Sequence, residues 1–313
     1  MTVQSILVVG SVALDDVRTP FGAVHEAFGG SASYFALAAR FFAPVRLVAV
    51  VGRDFPPEHL RLLGDRGVDT RGLEVADGLC FRWGGEYGFD LNNRKTLFTH
   101  LNVFEHFHPK VPVEFRGTPV VFLGNIHPAL QAEVLAQVES PVLVALDTMN
   151  LWIETARETL LEVLRRVDLL IVNDAEARQL AAEPNLVRAG RSLLRLGPRI
   201  IVIKKGEHGA TMFSEKGSFA TPAVPLEDVF DPTGAGDSFA GGLVGYLAAT
   251  GDFSEASLRR GIAFGTVLAS FTVQDFGVRS LCSVHAAEIT ACYERLRHLA
   301  HFDAAGPLPA SGP

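Results

Sequence analysis

Uninterrupted runs of four or five apolar residues recur along this chain of 313 residues and constrain its fold more than any other feature. Such a run is typical of a strand covered on both faces, as in a parallel sheet, whereas a half-exposed strand alternates apolar and polar residues. Segments with helical periodicity lie between the runs. The sequence therefore predicts an α/β fold, with a doubly wound, mostly parallel central sheet and helices on both faces. The predicted strands are 6–9, 47–51, 120–123, 142–146, 169–172 and 200–203, and the predicted helices are 33–42, 130–138, 154–166, 176–182 and 186–196.

Two regions depart from this alternation and indicate a smaller, separate element. Residues 80–102 combine aromatic and β-branched residues with glycine pairs, which is typical of an antiparallel ribbon with tight turns. Residues 14–28 also lack helical periodicity. We interpret both as a small β-strand lid, with strands drawn from about 12–28 and 79–103. The Pro/Gly-rich segment 304–313 is predicted to be a flexible tail.

Composition argues against several classes of partner. The net charge is −7 and the pI is ≈ 5.8, so the chain has no bulk attraction for nucleic acid or for an anionic membrane. No apolar run approaches the roughly 18 residues of a membrane span, and the N-terminus lacks the pattern of a secretory signal. Cys80, Cys282 and Cys292 form no C-x-x-C pair, which favours ordinary thiols. We therefore expect a cytoplasmic protein with no nucleic-acid or membrane partner.

The segment DPTGAGDSFAGG places small residues before an apolar stripe that predicts a helix beginning near Asp237 or Ser238. Gly234, Ala235 and Gly236 would then lie at the helix entry, where backbone N–H groups and the helix dipole favour an anion such as phosphate. Asp237 has two interpretations. It is either an ordinary helix cap or a carboxylate that accepts the proton of a substrate hydroxyl.

This segment resembles the C-terminal signature of the ribokinase-like, or PfkB, family of carbohydrate and nucleoside kinases. The resemblance implies that Asp237 is the catalytic base and that the backbone of Gly234, Ala235 and Gly236 forms the anion hole. It also implies ATP and Mg²⁺ as cofactors, and it assigns residues 1–303 to one ribokinase-like kinase domain. The chain lacks both the G-x-G-x-x-G and the G-x-x-x-x-G-K-[ST] patterns, so neither a nicotinamide enzyme nor a Walker-type kinase is expected.

Two N-terminal segments extend the resemblance to the acceptor site. The segment GSVALD is similar to the family's first strand and turn, which implies that Asp15 binds substrate hydroxyls, two of which a carboxylate can accept side by side. Gly29 and Gly30 resemble the family's di-glycine, where the backbone approaches the substrate closely. The chain departs at Tyr34, where many members carry asparagine, so the acceptor's identity stays open. From the residues alone, Asp15 beside Asp16 also fits a surface turn, and the glycine pair also fits an ordinary turn.

Two further segments resemble metal sites of the family. The stretch NDAE is similar to its N-x-x-E motif, which implies that Asn173 contacts the nucleotide and that Glu176 holds Mg²⁺ through water. The same two residues also satisfy a helix capping box. Asp231 and Thr233 match positions used for a monovalent cation such as K⁺.

The stretch KKGEHG follows a predicted strand and resembles the family's nucleotide loop. The resemblance implies nucleotide contacts from Lys204, Gly206 and Gly209, together with Gly236. Asp147 ends another predicted strand, and the carboxyl ends of parallel strands are where sites gather in α/β folds.

The leading hypothesis from the sequence is an ATP-dependent kinase that phosphorylates an alcohol group of a small sugar or polyol. One alternative is a nucleoside acceptor, stacked by the aromatic ribbon. Another is a non-catalytic sensor of sugar or nucleotide. Asp147 and Asn150 stay open as pocket or phosphate-side residues, and the resemblance implies a homodimer formed through the lid.

Overall fold

The computed structural model describes residues 3–303, so the predicted tail 304–313 lies outside the described residues. The strands are β1 (Ile6–Val9), β2 (Ala13–Thr19), β3 (Gly22–Gly29), β4 (Val45–Gly52), β5 (Val68–Ala76), β6 (Arg82–Tyr87), β7 (Arg94–His100), β8 (Val120–Leu123), β9 (Leu143–Asp147), β10 (Leu169–Asn173), β11 (Ile200–Lys204), β12 (Ala210–Ser214) and β13 (Gly217–Thr221). The α-helices are α1 (Ser31–Ala39), α2 (Pro57–Asp65), α3 (Val113–Arg116), α4 (Pro128–Gln137), α5 (Asn150–Thr155), α6 (Arg157–Leu164), α7 (Asp174–Ala181), α8 (Leu186–Leu193), α9 (Ala235–Thr250), α10 (Glu255–Thr272), α11 (Arg279–Ser283) and α12 (Ala286–Leu299).

The large sheet has nine strands in the order β13-β12-β11-β10-β9-β8-β1-β4-β5. Every pair from β11 to β5 is parallel, and β12 and β13 continue one edge in antiparallel pairing. All six predicted strands are present, within two residues at each end. The mostly parallel sheet predicted from the apolar runs is therefore confirmed.

Helices cover both faces of this sheet. Alternate residues of β1 point to opposite sides, as expected for a strand. Ile6 and Val8 join one buried cluster with residues of α1, α9 and α10. Leu7 and Val9 join the other with residues of α4, α6 and α8. The doubly wound arrangement therefore follows from strands that are apolar on both sides.

Several elements differ from the predictions. The predicted helix 154–166 is two helices, α5 and α6, because the backbone leaves the helical region at Ala156, where φ is −136°. Helices α2, α3, α11 and α12 were not predicted from the sequence, and neither were the strands β5, β12 and β13. These strands lie at the edges of the sheet, where partly exposed positions interrupt the apolar run.

A second, smaller sheet has the order β3-β2-β6-β7 and uses the two regions interpreted as lid strands. The hairpins β2–β3 and β6–β7 are antiparallel, but β2 and β6 pair in parallel, so the antiparallel expectation holds only within each hairpin. The chain passes through β4 and β5 of the large sheet between these strands and returns to the small sheet in the same direction.

Two observations concern the described residues 3–303 as a whole. None of the helices there is long and apolar enough to cross a membrane. All three cysteines are free thiols, and Cys80 and Cys292 are buried.

Candidate active site

Polar and charged side chains converge where three neighbouring strands end. Asp147, Asn173 and Lys204 are the last residues of β9, β10 and β11, which lie side by side in the large sheet. The carboxyl ends of parallel strands share one edge, and ligands of open α/β sheets bind at that edge. The entry of α9 adds Asp237, whose charge acts on Lys204. The sequence motifs from four separate segments thus form one cluster.

The glycine-rich loop enters α9 two residues earlier than predicted. The helix begins at Ala235, and Gly234 precedes it with φ of 77°, a left-handed conformation that glycine adopts without steric cost. Asp237 is therefore the third helical residue rather than the cap, and no side chain caps this helix start. The capping interpretation of Asp237 is wrong. Ala235 N–H donates to the carbonyl of Pro232 at 3.2 Å, and the other N–H groups of the first turn are the ones available for an anion.

The environment of Asp237 suits proton transfer. Burial and, after it, the charge of Asp147 raise the pKa of this carboxyl to about 7, although Lys204 and Arg94 act in the opposite direction. A general base is most effective when its pKa lies near the working pH. Arg94, at the start of β7, was not singled out from the sequence, because an exposed strand residue carries no local pattern that assigns it to a site.

Lys204 is the ammonium of the cluster. Its Nζ lies 3.3 Å from Oδ2 of Asp147, and a Cβ placed on Gly236 would lie 2.7 Å from the same Nζ. Burial works to lower the pKa of Lys204, but the carboxylates of Asp147, Glu176 and Asp237 together raise it. Lys204 is therefore held as a cation beside the first turn of α9.

Asn173 and Glu176 form the capping box at the start of α7. Oδ1 of Asn173 accepts the N–H of Glu176 at 2.8 Å, and Oε2 of Glu176 accepts the N–H of Asn173 at 2.7 Å. The capping interpretation is therefore confirmed. Burial, followed by the charge of Asp147, raises the pKa of Glu176 to about 7. The box uses one oxygen of each side chain, so it leaves the second oxygen of Glu176 free for another role.

The charge balance of this cluster fits a hydrated divalent cation. Three carboxylates, from Asp147, Glu176 and Asp237, surround the single ammonium of Lys204. Within residues 3–303, no group of three or more acidic, histidine or cysteine side chains is arranged to ligate a metal directly. Mg²⁺ retains several water ligands in most protein sites, so indirect contact through water matches this donor set.

Asp15 lies in β2 and not in a surface turn. Its side chain is 4% exposed, which excludes the surface-turn interpretation. Burial and the nearby charge of Asp231 raise the pKa of Asp15 to about 8, while a backbone hydrogen bond from Gly30 opposes the shift. A Cβ on Gly29 would overlap Oδ2 of Asp15, and Gly30 has φ of 94°. Gly29, which has no Cβ, therefore leaves the space that the Asp15 carboxylate occupies.

Two tyrosines lie between Asp15 and the glycine-rich loop. Tyr34 is 1% exposed, and its ring packs directly on the backbone of Gly234, where any Cβ would overlap it. Burial and the charges of Asp231 and Asp15 raise the pKa of Tyr34 well above its usual value. Tyr87, in β6 of the small sheet, lies 3.1 Å through its hydroxyl from Oγ1 of Thr233. The sequence grouped Tyr87 only with an aromatic ribbon.

Asp231 holds the glycine-rich loop in place through hydrogen bonds to the backbone. It is fully buried, and its Oδ1 accepts the N–H of Thr233 at 2.8 Å while Oδ2 accepts the N–H of Gly277 at 3.3 Å. Burial raises the pKa of Asp231. Both carboxylate oxygens thus already bond to backbone, so Asp231 has a structural role in addition to the predicted cation site.

The predicted nucleotide loop is a tight turn, and the hairpin β6–β7 of the small sheet contacts it. Gly206–His208 is one 3-10 turn, and Lys205 N–H donates to the carbonyl of Gly209 at 2.8 Å. Gly206 and Gly209 both have positive φ, 54° and 79°. A Cβ on Gly206 would lie 2.9 Å from Oδ1 of Asn92, in the turn between β6 and β7. The hairpin therefore contacts this loop as well as Thr233.

Asp147 and Asn150, left open by the sequence, separate in the structure. Asp147 pairs with Lys204. Asn150 donates from Nδ2 to Oε1 of Gln179 at 2.6 Å, a contact between α5 and α7. Only Asp147 therefore joins the charged cluster by a direct contact.

Comparison with known proteins finds relatives over most of the chain. A family model described as pfkB family carbohydrate kinase matches residues 3–285. The chain is 30% identical over 250 residues to a cytidine kinase of Thermococcus kodakarensis, which covers 77% of this chain and 88% of the relative. A nucleoside kinase of Burkholderia thailandensis in complex with inosine superposes with a TM-score of 0.74 at 22% identity, covering 93% of this chain and 97% of its own. A putative ribokinase II from E. coli in complex with ATP and Mg²⁺ gives 0.74 at 18% identity, covering 93% and 99%.

Proposed function

Because the chain belongs to the PfkB family of carbohydrate kinases and is a phosphotransferase acting on a hydroxyl group, we propose that it transfers the γ-phosphoryl group of ATP to a nucleoside, with Asp237 as the general base. The single observation that carries the proposal is the partly buried Asp237 carboxyl, whose pKa is raised to about 7, in the first turn of α9. Such a group can take a proton at neutral pH beside backbone N–H groups that attract phosphate.

The proposed reaction uses these groups in one step. Asp237 accepts the proton of the acceptor hydroxyl, and the acceptor oxygen forms a bond to the γ-phosphorus. The bond between that phosphorus and the β,γ-bridging oxygen breaks, and ADP leaves with its electron pair. The backbone N–H groups of Gly234, Ala235 and Gly236 form the anion hole that stabilises the negative charge on the transferred group. Positioning and charge stabilisation supply most of the catalysis in phosphoryl transfer.

The nucleotide would lie along the ends of β10 and β11. Asn173 and Lys204 are its proposed contacts there, and Gly206, Gly209 and Gly236 let the backbone approach the phosphates. The related structure with ATP and Mg²⁺ supports this choice of nucleotide and metal.

Glu176 is the residue proposed to hold Mg²⁺, through water. The ion would neutralise charge on the phosphates when bound. Asp231 and Thr233 remain our proposed site for a monovalent cation such as K⁺, and the carbonyl oxygens of their loop are the additional donors such an ion would use.

The acceptor would lie against Asp15, Gly29 and Gly30. Asp15 can accept two adjacent hydroxyls of a ribose or of another sugar. We place a nucleoside first because the cytidine kinase matches this chain at 30% identity over most of its length. This reverses the order given by the sequence, which placed a sugar or polyol first. A free sugar is the second candidate, favoured by the family's sugar kinases and by the paired-hydroxyl geometry of Asp15.

The small sheet is proposed to act as a lid within one kinase domain, residues 1–303. Closure would exclude water, which otherwise competes with the acceptor for the phosphoryl group. Support comes from the contacts of Tyr87 with Thr233 and of Asn92 with Gly206, which join the sheet to both loops of the site. The exposed edges of this sheet are also the surface on which we propose the homodimer.

The decisive test is Asp237→Asn, assayed for ADP formation with ATP, Mg²⁺ and a panel of nucleosides, ribose and other sugars. We expect the variant to lose about 10²- to 10⁴-fold in kcat, because the base is removed while the shape is kept. Asp65→Asn, in exposed position on α2, is the matched control and should retain full activity. Near-normal turnover by Asp237→Asn would refute its role as the base. A wild-type protein that binds acceptors but forms no acceptor-dependent ADP would instead be a sensor.

A further inference from the structure

The Asp147 carboxylate lies between the end of its own strand and the Lys204 ammonium. Its Oδ1 accepts the N–H of Thr148 at 2.8 Å, and its Oδ2 lies 3.3 Å from Nζ of Lys204. The side chains are 7% and 17% exposed. Nε2 of Gln131 donates to the backbone carbonyl of Asp147 at 3.2 Å and fixes the position from which the carboxylate projects. Asp147 is therefore a rigid anchor for a long and flexible side chain.

The anchored ammonium meets the glycine-rich loop. A Cβ on Gly236 would lie 2.7 Å from Nζ of Lys204, so the ammonium is in contact with the backbone of the first turn of α9. Ala235 N–H donates to the carbonyl of Pro232, but the other N–H groups of that turn and the ammonium are donors that lie in the same small region. An anion that enters this region can bind the N–H groups and the ammonium at the same time.

A contribution to the stability of the fold does not explain the ion pair. Removing two charges from water costs about as much as their attraction returns, so a buried pair is weak evidence for stabilisation. The pair also leaves the cluster with an excess of carboxylates, since Glu176 and Asp237 face the same ammonium. A lysine in such a place is suited to exchange one anionic partner for another.

We propose, as a step that rests on the function proposed above, that Asp147 is a positioning residue for phosphoryl transfer: it holds the Lys204 ammonium against the Gly236 backbone until the γ-phosphoryl group becomes the partner of that ammonium. Lys204 then lies on the path of the transferred group rather than only beside the nucleotide. Asp147 never touches the substrate and acts through Lys204. The nucleotide contact predicted for Lys204 is thereby specified as a contact with the γ-phosphoryl group of ATP.

The first test is a pH titration of Asp237 in the ligand-free protein, monitored through the ¹³C NMR signal of its carboxyl carbon. The charged or titratable groups that face Asp237 are Asp147, Lys204, Arg94, Asp15 and Tyr34. Asp147→Asn removes a repelling charge and frees the Lys204 ammonium, so the pKa of Asp237 should fall from its value of about 7. Lys204→Met removes an attracting charge, so the pKa should rise. These opposite movements test whether the charges of Asp147 and Lys204 reach Asp237, and the kinetic constants then test the positioning role.

The second test separates kcat from KM. In Asp147→Asn we expect kcat to fall about tenfold or more, since a misplaced catalytic group is costly even at constant chemistry. KM for ATP should stay unchanged or fall, because a negative charge near the phosphates is removed. Lys204→Met should lower kcat and raise KM for ATP together. The acid limb of the pH profile of kcat/KM should move down in Asp147→Asn and up in Lys204→Met.

The chain supplies a matched control at the other end of the same strands. Asp168 precedes β10 and pairs with Arg199 at 2.6 Å. Asp168→Asn should lower the melting temperature without moving the titration of Asp237 or the kinetic constants. If Asp147→Asn does not fold, Asp147→Glu replaces it, because this variant keeps the charge but moves it by one methylene; a wild-type kcat in Asp147→Glu and an unchanged KM for ATP in Lys204→Met would refute the positioning role.

The two proposals fail in different ways. A wild-type protein that makes no ADP with any acceptor refutes the proposed kinase function. An active wild type in which Asp147→Asn keeps the wild-type kcat and the wild-type Asp237 titration refutes only the positioning role of Asp147.

Discussion

The two halves of the site handle buried charge differently. The donor half, which we define as Asp147, Asn173, Glu176 and Lys204, places an ammonium among its carboxylates. The acceptor half, defined as Asp15, Gly29, Gly30, Tyr34 and Tyr87, has a buried carboxylate that pairs with no cation in residues 3–303. The glycine-rich loop from Asp231 to Asp237 lies between the halves.

This difference predicts which kind of substitution each half should tolerate least. Three strands of one parallel sheet fix the donor half, and opposite charges hold its side chains. The acceptor half depends on clearance instead, because the Asp15 carboxylate occupies space that only the absence of a Cβ on Gly29 leaves open. Charge substitutions should therefore perturb the donor half most, and added methyl groups should perturb the acceptor half most.

Among the substitutions that compare the two halves, the largest effect is expected from Gly234→Ala, which affects both halves at once. The new methyl group would overlap the Tyr34 ring, and the left-handed backbone would cost roughly 1–2 kcal/mol. Because the anion-hole backbone must move, we expect kcat/KM to fall about 10²- to 10³-fold in the ADP-release assay.

Gly67→Ala is the matched control for Gly234→Ala. Gly67 has φ of 79°, and no atom lies within 4 Å of a Cβ placed there. This variant should show the backbone strain as a lower melting temperature, with kinetic constants unchanged. Equal activities of the two variants would contradict the packing of Tyr34 on the anion hole.

A smaller effect, confined to the acceptor half, is expected from Gly29→Ala. The added Cβ displaces the Asp15 carboxylate, so KM for the acceptor should rise about 10- to 100-fold, as for the loss of a hydrogen bond to a charged group. KM for ATP should stay constant. Gly64→Ala, where a Cβ meets no atom within 4 Å, serves as the control. A parallel rise in KM for ATP would show that the two halves are not separable.

The smallest effect is expected from Tyr87→Phe, which removes the hydroxyl that bonds Thr233 from the small sheet. One neutral hydrogen bond contributes about 1 kcal/mol, so KM for the acceptor should rise about fivefold. Tyr246→Phe is the control, since its hydroxyl makes no hydrogen bond within the described part of the chain. An unchanged KM in Tyr87→Phe would mean that this bond does not hold the small sheet over the acceptor.

The structure brings together many of the residues that the sequence singled out, but the contacts among them were not evident from the sequence. DPTGAGDSFAGG identified the Asp237 segment, yet it did not show that Gly234 turns the chain early enough to place Asp237 inside the helix. NDAE suggested both a capping box and a metal role, and the capping box is present. Arg94 lies in an exposed strand, so only the pairing of β6 with β7 reveals that its charge reaches Asp237.

By itself, the sequence determined the class of the large sheet and the glycine-rich entry to α9, because apolar runs and left-handed turns depend on residues close together in the chain. Only the tertiary structure decided that Asp147 meets Lys204, 57 residues later, and that Tyr87 meets Thr233, 146 residues later. Those contacts depend on the order of strands in two sheets, and strand order is set by packing between distant segments that no local pattern encodes.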